Sequence, residues 1–115
     1  MNEFDVPIFQ KSYYLYKQMH AYQKAIPKHD RYTVYTKAEE SMLSVISSLF
    51  KASAIDKERK LELLEQASTE LSLLRIFIRL LKDIQALDNK KYLALQSEID
   101  EIGRMLGGWI RSVTQ

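Results

Sequence analysis

Acid–base or nucleophilic catalysis needs histidine, cysteine or closely set carboxylates, and this sequence offers few such groups. It has two histidines, His20 and His29, and no cysteine. Disulfides and thiolate metal sites are therefore excluded. Neither histidine completes a Glu-x-x-His pair of the kind that holds two metal ions in helical bundles. Helical-bundle ribonucleases place a histidine within a turn or two after an arginine, but both histidines here precede the first arginine, Arg31. No Ser/His/Asp or Cys/His signature is present, and Gly107-Gly108 lies inside a helical pattern rather than in a phosphate loop. His20 and His29 read as ordinary surface residues. The expectation is a protein with no catalytic residue, metal ligand or cofactor.

The chemistry that remains is ionic. Formal net charge is only +2, but the charges are unevenly distributed. Over 8–37 the bases are Lys11, Lys17, Lys24, Lys28, Arg31 and Lys37, and the only acid is Asp30. Over 56–70, Asp56, Glu58, Glu62, Glu65 and Glu70 outnumber Lys57, Arg59 and Lys60. Arg75, Arg79 and Lys82 follow i, i+4, i+7 spacing and share one helical face. Such a row could hold phosphates, or be a solvated face paired with carboxylates such as Glu101. Lys17, Lys24 and Lys28 form a second row beside Tyr13, Tyr14 and Tyr16. Cations interleaved with aromatics can bind a backbone and stack bases. Alternatively, the tyrosines pack at a subunit interface and the lysines keep it soluble. Arg104 and Arg111, seven apart, share a face of the last helix. Arg31 either bonds carbonyls at the preceding helix end or meets phosphate.

Four amphipathic segments must position these groups. Gly and Pro number only 3 and 2, too few for a turn-rich strand fold. Ile8, Leu15 and Tyr22, with Met19 and Ile26, stripe a first helix expected over 7–25. Pro7 suits its first turn and Pro27 ends it. Tyr35, Ala38, Met42, Val45, Leu49 and Ala52, widened by Ile46, mark a second over 32–54 with Thr33 as its cap. Leu61, Leu64, Leu71, Leu74, Ile78 and Leu81 mark a third over 56–87, capped by Asp56. A fourth, capped by Asp88, carries the cleanest heptads: Tyr92, Leu95, Ile99, Ile102, Leu106, Trp109 and Val113. Short connections make neighbours antiparallel. The fold class is all-α, an up-down-up-down four-helix bundle forming one domain over 1–115. Met1 to Ile8 carries acids and no apolar run, so no secretory signal is expected, and no apolar stretch is long enough for a membrane.

Some apolar residues are left over. Tyr13, Tyr16, Phe50, Phe77, Leu80 and Ile84 do not all fit the stripes, and the third helix is apolar over much of its girth at 73–81. Surplus of this kind marks an oligomer or partner interface. Gly103 and Gly107 lie one turn apart, beside Gly108 and Trp109. Each Gly costs a helix about 1 kcal/mol. The expected return is close approach of another backbone, within the bundle or between subunits, with Trp109 anchoring the contact.

Three stretches together resemble a known superfamily. They are Ile26-Pro27-Lys28-His29-Asp30-Arg31-Tyr32-Thr33, Leu74-Arg75-Ile76-Phe77-Ile78-Arg79-Leu80-Leu81-Lys82-Asp83 and Glu101-Ile102-Gly103-Arg104-Met105-Leu106-Gly107-Gly108-Trp109-Ile110. In order and spacing they resemble the bacterial Avd superfamily, accessory proteins of diversity-generating retroelements. That superfamily also holds proteins encoded in intervening sequences of large-subunit ribosomal RNA genes. The resemblance implies a four-helix bundle assembled as a pentameric barrel in the cytoplasm. It further implies partnership with a reverse transcriptase and with RNA or DNA, in support of mutagenic reverse transcription. Avd proteins are typically strongly basic. The modest charge here keeps the ribosomal branch, a structural or interaction bundle, as the alternative.

Overall fold

The computed structural model describes residues 6–115. Residues 1–5, on which most of the reading against a signal rests, lie outside the described part. Pro7 opens α1 (Pro7–Tyr22), where its missing N–H leaves no helical bond unmade. The chain then tightens into a 3₁₀ turn, Gln23–Ala25, and Ile26 before Pro27 becomes extended. A single turn, α2 (Lys28–Arg31), leads into α3 (Val34–Ala54). α4 (Lys57–Asp83) and α5 (Asn89–Thr114) follow. The described residues contain no strand.

Two of the three expected caps form. Asp56 accepts from the Arg59 backbone N–H at 3.2 Å, and Asp88 from that of Lys91 at 2.8 Å. The Lys91 ammonium and backbone N–H both hold the Asp88 carboxyl below its ordinary range. Thr33 does not cap α3. Its hydroxyl donates back to the His29 carbonyl at 3.0 Å, because the extra turn of α2 supplies an acceptor no periodicity reveals.

The third expected helix also stops short, at Asp83 rather than near 87. Gln85 takes a left-handed φ of 65°, and the Ala86 and Leu87 N–H groups both donate to the Leu81 carbonyl. This C-terminal reversal folds Ala86 and Leu87 back into the core. Apolar periodicity runs on through the reversal, and no glycine marks it.

The long helices pack as a four-helix bundle of 43 × 23 × 21 Å. A helix of 27 residues such as α4 is about 40 Å long, so it spans the whole molecule. Contacts run α1–α3, α3–α4, α4–α5 and α5–α1, closing the square. The directions alternate. Tyr22 at the end of α1 meets Lys91 at the start of α5, while Lys11 near the start of α1 meets Glu98 farther along. The Arg75–Asp100 and Lys82–Tyr92 contacts reverse α4 and α5 in the same way. Leu15, Met19, Met42, Leu49, Leu64, Leu74, Ile78, Leu81, Leu95 and Ile99 fill the interior. Phe9 and Ser12, which the stripes missed, are buried too, whereas Tyr22, Leu61, Tyr92, Trp109 and Val113 are only half-buried.

The α1–α3 seam is partly polar. Tyr35, fully buried, donates its hydroxyl to the Met19 carbonyl. Glu39 is buried beside it and accepts from the Gln23 amide at 3.3 Å. Burial raises the Glu39 carboxyl above its ordinary pKa, against the opposing pull of Gln23 and His20. Burial and the Glu39 charge likewise raise the Tyr16 and Tyr35 phenols.

Two predictions follow from this packing. A residue with a Cβ is strained in the left-handed region, so Gln85→Gly should stabilise the protein by about 0.5–1 kcal/mol, read as a higher urea midpoint at constant slope. The second concerns Glu39. A carboxyl with a raised folded pKa favours folding when protonated, and that stability is lost as pH rises through the folded pKa. Glu39→Gln should therefore be more stable than the parent at pH 7, by up to about 1 kcal/mol. The gap should close as pH falls through the Glu39 titration. An equal gap at all pH values would assign the effect to packing.

Candidate nucleic-acid interface

The cationic residues fall into two groups with different surroundings. On α4, Arg75 donates to Asp100 of α5 at 2.9 Å. Arg79 grips both oxygens of Asp83 at 3.1 and 3.2 Å, one turn along its own helix. Lys82 lies 4.8 Å from the centroid of the Tyr92 ring. The hydrogen bond and charge of Asp83 raise the Arg79 pKa, so its charge is secure. The sequence suggested Glu101 as a carboxylate for this row, but Glu101 pairs with Arg104 on α5 instead. One residue is a rotation of about 100° around a helix, which is why Asp100 and not Glu101 faces α4.

The α1 group is differently placed. Among the described residues no carboxylate lies within ion-pair distance of Lys17, Lys24 or Lys28. The Lys17 ammonium sits 5.7 Å from the Tyr13 ring and 5.5 Å from the Tyr14 ring. Lys17 is exposed on α1, Lys24 is exposed in the 3₁₀ turn that follows it, and Lys28 lies beyond Pro27 at the start of α2, so the row bends with the chain. Arg31 turns inward. Its guanidinium donates to the Ile26 carbonyl at 3.0 Å and to that of Lys24 at 3.4 Å, stitching the corner between α1 and α3. Arg111 is exposed near the end of α5.

The glycines sit on the α5 side of a shallow groove. Gly103 and Gly107 line it with Leu71, Ser72, Arg75 and Asp100. A Cβ at Gly103 would stand 3.5 Å from Arg75 and 3.7 Å from Leu71. At Gly107 and Gly108 the nearest atoms are guanidinium nitrogens of Arg111, at 3.5 and 3.8 Å. These are ordinary contacts, so no helix within one chain approaches closely enough to require glycine there. Trp109 is half-buried, with the Lys60 ammonium 5.9 Å from its ring.

Of the surplus apolar residues, Tyr16 and Phe77 pack against the core. Leu73, Ile76, Leu80 and Ile84 form an exposed strip along α4, with Ile76 62% exposed. Leu43 and Phe50 on α3 and Leu93 on α5 are exposed too. Phe50 was among the surplus apolar residues of the sequence; Leu43, seven residues before it, belongs to the same exposed face. A separate groove between α3 and α4 is polar, lined by Ser44, Ser47, Lys51, Glu62, Glu65 and Glu70. Among the described residues no three His, Asp or Glu side chains gather to hold a metal ion. No described helix is long and apolar enough to cross a membrane.

The pairing on α4 generates a further prediction. Asp100→Asn should leave Arg75 charged and unpaired. Exposed pairs contribute little, so stability should move by less than about 1 kcal/mol. If the α4 row meets phosphate, affinity for nucleic acid should rise; unchanged affinity in an anisotropy titration would remove Arg75 from the interface.

No sequence among the curated proteins matches this chain. The profile of the bAvd-like family does match, over residues 7–113. The match takes in all three stretches that carried the resemblance and runs from the first turn of α1 to the last of α5. The chain belongs to the bAvd-like family.

Proposed function

We propose that this protein is a non-catalytic accessory factor of a diversity-generating retroelement, acting in the cytoplasm as a homopentamer that binds a reverse transcriptase and nucleic acid. The observation that carries this reading is the family match across nearly the whole chain. Two features support it. Among the described residues nothing covers the exposed strip of Leu73, Ile76, Leu80 and Ile84, as expected of a subunit contact. Gly103 and Gly107, not needed by the chain's own packing, leave the neighbouring groove open to a second copy. Repetition around a ring would multiply a modest basic face, so a chain of net charge +2 can still present a strong one. That same modest charge favours the second reading, an interaction bundle of the ribosomal intervening-sequence type with no reverse transcriptase partner.

Light scattering and co-purification test the proposal. The protein should run as five copies of its 13.5-kDa chain. Ile76→Glu with Leu80→Glu should reduce it to a folded monomer. A cognate reverse transcriptase, co-expressed, should be retained by the parent. A monomeric parent at micromolar concentration would refute the assembly. Failure to retain the enzyme would favour the second reading.

A further inference from the structure

The outer face of α1 combines two properties. Among the described residues it is cationic without acidic partners, and it carries exposed aromatic rings. Tyr13 is 43% and Tyr14 60% exposed, and the Lys17 ammonium lies over both rings. Lys24, in the 3₁₀ turn that follows α1, continues the face two turns on, and His20 and Ala21 lie between without adding an acid. Two carboxylates that contact α1 and the turn after it are already engaged: Glu98 with Lys11, and Glu39 buried against Gln23. From Tyr14 to Lys24 the face is about 15 Å long.

An exposed phenol ring costs apolar area in water and gains little from a duplex, whose bases are stacked inside. Unpaired bases offer free π-faces, and each base stacked on an aromatic contributes substantially to binding. Lys17 beside the two rings and Lys24 beyond them can reach the phosphates that flank stacked bases along a single strand. On α4, by contrast, Arg75 and Arg79 are matched by Asp100 and Asp83, and the exposed side chains among them are aliphatic. We infer that the outer face of α1 binds unpaired nucleic acid, with Tyr13 and Tyr14 stacking bases while Lys17 and Lys24 hold phosphates. This inference rests on the nucleic-acid reading proposed above and assigns it a strand class and a surface.

The test is fluorescence anisotropy of the full-length protein with labelled oligonucleotides. The probes are an unpaired uridine 20-mer, an unpaired thymidine 20-mer, and RNA and DNA duplexes of equal length. The parent should bind an unpaired probe at least about tenfold more tightly than the matching duplex. Tyr13→Ala with Tyr14→Ala should abolish that preference while leaving duplex binding unchanged. Tyr14→Phe should retain it. Lys17→Ala with Lys24→Ala should weaken both kinds of probe and lower the salt slope by about one per lysine. Thermal melts by circular dichroism should show every variant folded. Equal binding of paired and unpaired probes, or a preference that survives loss of both tyrosines, would overturn the inference while leaving nucleic-acid binding intact. No binding of any probe at low salt would instead overturn the underlying reading. Loss of self-association in the lysine variant, with probe affinity unchanged, would also overturn the inference and give this face to a second copy of the chain.

Discussion

Leu15, Met19, Met42, Leu49, Leu74, Ile78, Leu95 and Ile99 meet along the bundle axis with almost no exposed surface. In a molecule only 23 × 21 Å across its long axis, that interior has room for one apolar stripe from each helix. Any second stripe must lie outside. α4 carries one in Leu73, Ile76, Leu80 and Ile84, and α1 carries tyrosines in the same position. Both surfaces proposed as functional are thus what remains after the core is full. Their contrast in chemistry, aliphatic on one helix and aromatic with cations on the other, suits them to different partners.

The charge pattern follows from the same geometry. α4 and α5 lie side by side, so Arg75 finds Asp100 across the seam, and Arg79 finds Asp83 one turn away. Exposed pairs of this type are worth little to stability, but they cancel much of the field that the row presents to a distant phosphate. Among the described residues, α1 packs against α3 and α5, and no ion pair forms at Lys17 or Lys24. A chain of nearly balanced composition thereby acquires a localised positive surface.

At the other edge of α1 the seam with α3 is held by specific polar contacts as well as apolar packing. The Tyr35 hydroxyl bonds a carbonyl of α1, Gln23 reaches Glu39, and Arg31 closes the corner on Ile26 and Lys24. The first ties the end of α1 to the start of α3, the second ties the 3₁₀ turn after α1 to α3, and the third fixes the link between them. They fix how α1 lies on the bundle, and hence where its outer face points. Glu39 is the costly member, because a buried carboxylate loses more hydration than one long amide bond returns.

Much of this was legible in the order of residues. The apolar period is local, so the buried faces of Met42 to Leu49 and of Leu95 to Leu106 could be read directly. Pro7, Asp56 and Asp88 mark their helix starts because their effects act on the next few backbone groups. The three stretches at 26–33, 74–83 and 101–110 carried the family. What the sequence could not reveal depends on separation in space. The α2 turn and the Gln85 reversal need hydrogen bonds whose partners periodicity does not name. Asp100 rather than Glu101 meets Arg75 because helix rotation, not sequence proximity, sets which carboxylate faces across a seam. Whether a cation is neutralised or left open is decided by the helix packed beside it. That neighbour exists only in the tertiary structure, and so the difference between the α4 arginines and the α1 lysines was settled there.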